Sequence, residues 1–426
     1  MPNTTQRLVD YLFDKAALIT DDIRRRADAC KDDYLAVAAA GAVKNRDRWG
    51  GMLKKASSGP AELIGYPERT DGKTAALING FNAHSLELDD GHRFAMIHLG
   101  ASVISAIKAA ADENGIDDVS FQTGIVMGYE TACRVAIAMQ PSHKNRGFHA
   151  AGTCGTIGAS AGVAFALGMD RTRMKRVLTC AAGSAAGMLE IQEQGSELKP
   201  YNVGRAAADG LTAAYMGLTD YAAPDDMFGG ERGFFELFSD KYDADKLTGD
   251  TDYFEIERIY VKPYASCRHS HSAVEAAIRL HEVTDINNIE SVEVKTYKLA
   301  VKGHDHTDVL GVASAKLSIP YAVAAGLVYG RADLSVFEPV DGRLTEFAKK
   351  IKVVEDSALT AESPQKRVAI VTARMADGEV RNARVDYAKG DPENPMTEAE
   401  LAEKKRSLTA YAAGRGQKPN ARLDIE

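Results

Sequence analysis

Metal and nucleotide signatures are what this sequence lacks. Its five cysteines (Cys30, Cys133, Cys154, Cys180 and Cys267) include no CxxC pair, and none of its ten histidines opens an HExxH run. The common routes to a structural zinc or a zinc protease are therefore missing. An odd, scattered set of cysteines without a secretory leader predicts reduced thiols and a cytoplasmic protein. A basic excess is also missing: 52 Lys and Arg stand against 60 Asp and Glu, a net charge of −8 with the signs interspersed. That balance argues against a nucleic-acid partner. The longest apolar run, "AAGTCGTIGASAGVAFALGM", is built of Gly, Ala and Thr and is too weakly hydrophobic for a membrane span. No internal repeat, low-complexity linker or coiled-coil heptad is present, which removes solenoid and fibrous folds.

What is there is ordinary soluble-enzyme composition, 45% hydrophobic and 26% charged over 426 residues, long enough for two domains. Up to about residue 250 the pattern is helix after helix. "TTQRLVDYLFDK" places Leu8, Val9, Leu12 and Phe13 on one stripe behind capping threonines. "DDIRRRADACKDDYLAVAAAGAVK", "AALINGFNAHSLELDD", "ASVISAIKAAADENG", "VSFQTGIVMGYETACRVAIAM" and "TRMKRVLTCAAGSAAGML" follow. In "GTCGTIG" the small residues Gly155, Gly158, Ala159 and Gly162 recur at helical spacing. No strand precedes that run and no GK[ST] closes it, so it reads as close helix packing and not as a phosphate loop. Beyond residue 254, "FEIERIYVK", "IESVEVKTYKL" and "RVAIVTARMADGEVRNARVDY" carry strand alternation, the last around an Asp377-Gly378 hairpin turn. Helical patterns at 272–284 and 314–330 lie between them. The expected fold is mostly α with a smaller α+β domain: a large helical domain over 1–254, a β–α–β–α–β–β domain over 255–390, and a final charged helix within 391–426 returning to the first.

Polar clusters interrupt these bland helices. "HSLELDDGHRFAMIH" holds His84, Glu87, Asp89, Asp90, His92 and His98, with Glu87 and Asp90 expected on one face as a helix ends. Acids there oppose the helix dipole, which favours a functional reading. Their spacing matches neither HExxH nor an EF-hand loop, so no metal is expected. "KNRGFHAAGT" sets His149 before a helix, with Lys144 upstream, and "EIQEQGSELKPYNVGRAAADG" sets Lys199 at a helix start. "VKPYASCRHSH" packs Lys262, Cys267, Arg268, His269 and His271 where a strand or loop becomes a helix, a place where unpaired N–H groups favour anions. This inventory suits proton abstraction beside a carboxylate in a polyanionic substrate.

Together these segments resemble the MmgE/PrpD family, which contains 2-methylcitrate dehydratase, cis-aconitate decarboxylase and iminodisuccinate epimerase. The resemblance is collinear: "NGFNAHSLELDDGHR…IHLGASV", "GFHAAGTCGTIGASAGVAFALGMD", "LKPYNVGRAAADG", "KPYASCRHSHSAVEAA", "AKLSIPYAVAAGLVYG" and "KGDPENPMTEAEL". It implies a two-domain architecture with the site between the domains, in a homodimer. It further implies that His98 and His149 are the family's two motif histidines, that Lys199 and Lys262 face the substrate, and that Glu87 is the acid two positions before the Asp-Asp pair. Leu99, Ala150 and Ala265 stand where many members have proline, which predicts looser loops. The decarboxylase branch carries histidine where this chain has Cys267; the epimerase branch has cysteine there.

The expectation drawn from residues and resemblance together is a lyase needing no metal or organic cofactor. It would abstract a proton α to a carboxylate and eliminate water from a small di- or tricarboxylate. Epimerisation of an iminodisuccinate-like acid, decarboxylation of a cis-aconitate-like acid, and binding without catalysis are the alternatives. The candidate bases rank His98, His149, Cys267, because imidazole titrates near 6.5 and is mostly neutral at pH 7. Glu87 joins the catalytic set. Lys199, Lys262, Arg268, Asp90 and His271 are the expected substrate contacts, with arginine able to clamp a carboxylate through two parallel hydrogen bonds.

Overall fold

The structure is a computed structural model that describes residues 3–414. It is mostly α with a smaller α+β part. The N-terminal stripe folds as its periodicity predicts. Asn3 caps the helix Thr4–Ala16 by accepting from the Gln6 amide at 2.9 Å, and Leu8, Val9 and Leu12 are buried while Phe13 is partly so. Thr20 caps Asp21–Asn45 in the same way. The helices Gly72–His84, Gly100–Asn114, Asp118–Met139, Ala150–Ala166 and Lys199–Met216 then pack around one apolar core.

The small-residue run is helical and sets the spacing of that bundle. A Cβ at Gly158 would lie 2.5 Å from Ala132 Cβ and 2.6 Å from the Gly128 carbonyl oxygen. Only glycine allows so close an approach.

The second core lies under a four-stranded sheet in the order Ile351–Glu355, Ile289–Thr296, Ala369–Met375, Val380–Val385. The first pair is parallel and the other two are antiparallel, with Val294 opposite both Val353 and Val371. The hairpin turns where expected, with Gly378 at φ +89°. Helices His271–His281 and Ile319–Tyr329 bury their apolar residues in this core. The final helix Glu398–Gly414 packs back on Asp21–Asn45: Leu408 joins the second core beside Ala36, Val37 and Ala40. Lys404 Nζ reaches Asp33 Oδ1 at 2.5 Å. Residues 415–426, expected to share that return, lie outside the described residues.

Three local expectations are corrected. "FEIERIYVK" is not a strand of the small sheet: it forms a 3-10 turn, Glu255–Arg258, then the two-residue strand Ile259–Tyr260 pairing with Gly91–His92. The sheet's remaining strand is Ile351–Glu355, whose five residues are too short to stand out from the flanking helical patterns. And the helix of "AALINGFNAHSLELDD" stops at His84, so Glu87 and Asp90 share no helix face. Among the described residues, no helix is long and apolar enough to cross a membrane.

Candidate active site

Glu87 occupies the left-handed region at φ +56°, an uncommon place for a residue with a side chain. The carbonyls on either side of it are gripped by buried lysines: Lys316 Nζ donates to the Leu86 oxygen at 3.1 Å and Lys404 Nζ to the Leu88 oxygen at 2.9 Å. So held, the Glu87 carboxylate lies between two cations. Oε1 pairs with Lys199 Nζ, and Oε2 accepts from Lys262 Nζ at 3.2 Å. Lys262 also reaches Asp89 Oδ1 at 3.5 Å. Asp89 Oδ2 in turn meets His84 Nδ1 at 2.7 Å and lies 3.6 Å from His98 Nδ1. Burial alone would raise both acids; Lys199 and Lys262 outweigh it at Glu87, as the bond from His84 and the Lys262 charge do at Asp89, and both stay ionised.

In front of this chain lies a cavity of about 520 Å3 between the two parts of the fold. Lys144, Lys199, Lys302, Arg268 and Arg367 line it against, among the described residues, the single acid Glu193, a local excess of cations in an acidic protein. Four histidines line it too: His98, His149, His269 and His304. Hydrogen bonds separate the roles open to the first two. His98 Nδ1 lies 2.8 Å from the Asp90 carbonyl oxygen, so it must carry the hydrogen, and Nε2 is left as the basic nitrogen. His149 is the reverse: the Asn202 amide, oriented by its bond to the Met188 carbonyl, donates to Nδ1 at 3.3 Å. Nε2 of His149 therefore carries the hydrogen and is a donor. Burial first, then nearby lysines, keep both rings neutral, lowering His98 to about 3 and His149 well below its ordinary value.

More of the lining comes from "VKPYASCRHSH". Here the chain leaves an extended segment for the 3-10 turn Arg268–Ser270 and the helix His271–His281. Cys267 and His269 line the cavity. Cys267 Sγ lies 3.9 Å from His304 Nε2. His269 accepts from Lys144 Nζ at 3.0 Å and meets the Tyr297 hydroxyl at 2.6 Å. Arg268 reaches the cavity wall while its guanidinium is held by Asp391 Oδ1 at 2.8 Å and the Lys389 carbonyl at 3.1 Å.

Of the nine expected site residues, the structure thus brings His98, His149, Lys199, Cys267 and Arg268 to one cavity. Glu87 and the fully buried Lys262 stand behind Lys199. Asp90 and His271 are used elsewhere. Asp90 accepts from the Gly100 amide at 2.9 Å and the Tyr129 hydroxyl at 2.5 Å, fixing the start of the helix Gly100–Asn114. His271 lies between Arg268 Nη1 and the Ser266 carbonyl, with no exposed surface. Lys302, His304 and Arg367 escaped the sequence reading, because no pattern of local spacing ties "KGHDH" or "QKRVA" to the other segments.

His84, Asp89 and His98 offer three ligand atoms within 4.8 Å of one another. His98 Nδ1, however, is turned to a carbonyl and must carry a hydrogen, and Lys262 stands beside Asp89. Asp89 is thus already engaged by the His84 ring at 2.7 Å and by the Lys262 ammonium at 3.5 Å, and that neighbouring cation opposes a metal ion there. A larger groove of about 950 Å3 adjoins the cavity, sharing Met96, Gln140, Asn145, Leu299 and Lys302 with its rim, but among the described residues no histidine lines it.

The description "MmgE/PrpD N-terminal domain" matches residues 6–247, and "MmgE/PrpD C-terminal domain" matches residues 264–424. The chain belongs to the MmgE/PrpD family. Among characterised members, the cis-aconitate decarboxylase-like protein oryM of Aspergillus oryzae is 26% identical, covering 96% of this chain and 91% of its own. Cis-aconitate decarboxylase of Aspergillus terreus is 24% identical over 92% of this chain and 86% of its own. The Homo sapiens cis-aconitate decarboxylase is 22% identical over 78% and 72%. As an MmgE/PrpD protein the chain is an enzyme of the lyase type.

Proposed function

We propose that this MmgE/PrpD enzyme abstracts a proton α to a carboxylate of a small di- or tricarboxylate and expels a β-hydroxyl as water, as a 2-methylcitrate dehydratase would. The observation that carries this is the cavity's lining: five Lys or Arg side chains against one acid, around a neutral histidine whose basic nitrogen is left available. A proton α to a carboxylate is a very weak acid, so most of the barrier lowering must come from cations at the developing dianion. Lys199, Lys144 and Arg367 supply them. His98 Nε2 takes the proton, its affinity for it raised once the substrate's carboxylates offset the Lys262 and Lys199 charges that lower the ring in the empty cavity, and His149 Nε2–H donates to the substrate's oxygens.

Decarboxylation of a cis-aconitate-like acid is the second reading, supported by what the relatives are named for. It needs no base, only a site that loses carbon dioxide and protonates the resulting carbanion. Cys267, standing where the family resemblance puts a cysteine in the epimerase branch, supports a third, epimerisation. Proton NMR of the purified protein in D2O with a panel of β-hydroxy tricarboxylates, cis-aconitate and amino dicarboxylates separates them. Elimination of water with loss of the α-proton supports the proposal. Loss of carbon dioxide, or deuterium gained at a carbon whose substituents are all retained, replaces it with the second or third reading.

A further inference from the structure

Cys267 and His304 are too deliberately placed to be passive wall. His304 Nδ1 lies 3.0 Å from the Leu317 carbonyl oxygen, so Nδ1 must carry a hydrogen. In the neutral ring Nε2 is then a bare acceptor, and it is this nitrogen that faces Cys267 Sγ at 3.9 Å. The neighbouring ring cannot compete for the thiol's proton. His269 stacks on His304 with centroids 5.4 Å apart, but its Nε2 is already occupied by Lys144. Cys267 and His304 line the same cavity as His98 and His149.

We propose that Cys267 and His304 form a thiolate–imidazolium pair that is the general acid of the reaction, delivering a proton to the departing hydroxyl. This deepens the dehydratase reading and rests on it. His98 Nε2 takes the α-proton, and the C–H electron pair passes to the forming double bond. The C–O bond breaks as the shared proton moves from His304 Nε2 to Sγ and from Sγ to the leaving oxygen, which departs as water. The pair is recharged from solvent, while His98 returns its proton there. No co-reactant is needed.

The electrostatics around the sulfur agree. Burial raises the thiol's pKa, but the charge and hydrogen bond of His304, followed by Lys199, outweigh it and lower Cys267 to about 6. The charged or titratable groups acting on it are His304, Lys199 and Glu87, with Lys144, Lys262 and Tyr297 from the surrounding elements. The cations outnumber the single carboxylate.

The test begins without any substrate. The protein is alkylated with iodoacetate or iodoacetamide across pH 5–9 and Cys267 is followed by mass spectrometry; a C–S bond forms and iodide leaves. The expected midpoint is near 6, with the anionic reagent preferred. His304→Gln should move the midpoint towards the ordinary thiol value of about 8.5 and slow labelling at pH 6.5 by about five- to tenfold, since thiolate fraction falls faster than nucleophilicity rises. A wild-type midpoint near 8.5 overturns the pair even if the variant does not fold. With whichever hydroxy acid is turned over, Cys267→Ser should lose elimination by about a hundredfold or more yet still exchange the α-hydrogen with D2O, because His98 remains. Loss of exchange together with elimination would make the thiol the base and sink the assignment. Labelling as expected, with no panel compound turned over, refutes the dehydratase reading and leaves the ion pair standing.

Discussion

Glu87 concentrates the energetics of the site in one residue. A left-handed backbone at a side-chain-bearing position costs about 1–3 kcal/mol, and here it is over-determined by two lysines on its flanking carbonyls and two on its carboxylate. The last two lysines are not equivalent. Lys199 lines the cavity, whereas Lys262 is wholly buried among Glu87 and Asp89. Lys199→Ala is therefore expected to lower kcat/KM by about a hundredfold, mainly through KM, with little change in melting. Lys262→Met removes the cation from two buried carboxylates and should cost about 3 kcal/mol of stability, with KM changed less than kcat. Steady-state kinetics and thermal melts on the same preparations decide it; a Lys262 variant that melts normally and raises KM as much as the Lys199 variant would place its ammonium on the substrate.

Between elements, the contacts that matter are the ones sequence patterns cannot display. Lys404 belongs to the last described helix, yet it holds the Leu88 carbonyl next to Glu87. Lys404→Met is expected to lower kcat several-fold while leaving the cavity's cations untouched, and to free Asp33, which burial already pushes above the usual carboxylate range. Unchanged kcat in a folded variant would show that Lys316 suffices to hold the loop. In the bundle, Gly158→Val would drive side-chain atoms into the Gly128 carbonyl and Ala132, an overpacking expected to cost about 3 kcal/mol or more, read as a fall in the urea midpoint. The helix stripes and the glycine seam were legible because each is written at 3.6-residue spacing within one segment. The end of the helix at His84 was not, since the residues after it remain hydrophobic and acidic in alternation while the backbone turns at Glu87. Nor was the pairing of Ile259–Tyr260 with Gly91–His92 legible, because two-residue strands leave no periodicity. At the site, the motif histidines and Lys199 were found by their segments. His304 and Arg367 were not, because only the folded chain brings them to the cavity that Cys267 lines.

Across the whole molecule, burial has turned histidine from a charge into a stability term. His92, His98, His143, His149, His269 and His271 are all lowered, burial being the largest cause in each. An unfolded chain takes up protons on these rings near pH 6.5 while the native state does not. Above that pH they leave stability unchanged; as pH falls through it, the unfolded state gains protons and stability is lost, by about 1.4 kcal/mol per pH unit for each linked ring. Two aspartates oppose this. Asp90, raised by burial to about 6, takes up its proton first in the native state and so adds stability as pH falls below about 6; Asp33, also raised by burial, acts in the same direction. Six rings outnumber two carboxyls, and below about pH 4.5 the lowered acids Glu87, Asp89 and Glu338 add their own loss. The unfolding free energy read from urea titrations is therefore expected to fall by about 1 kcal/mol from pH 8 to 7, where the lowered Cys267 thiol leaves the unfolded state with the extra proton, and by several kcal/mol between pH 6.5 and 5. His143 provides the control. It lies outside the cavity lining, bonded to the Phe238 carbonyl at 2.9 Å and the Thr153 hydroxyl at 2.8 Å. His143→Gln should lose about one proton of that dependence. Stability that is flat or rising down to pH 5 would mean the cavity can open to let its histidines charge while the fold persists.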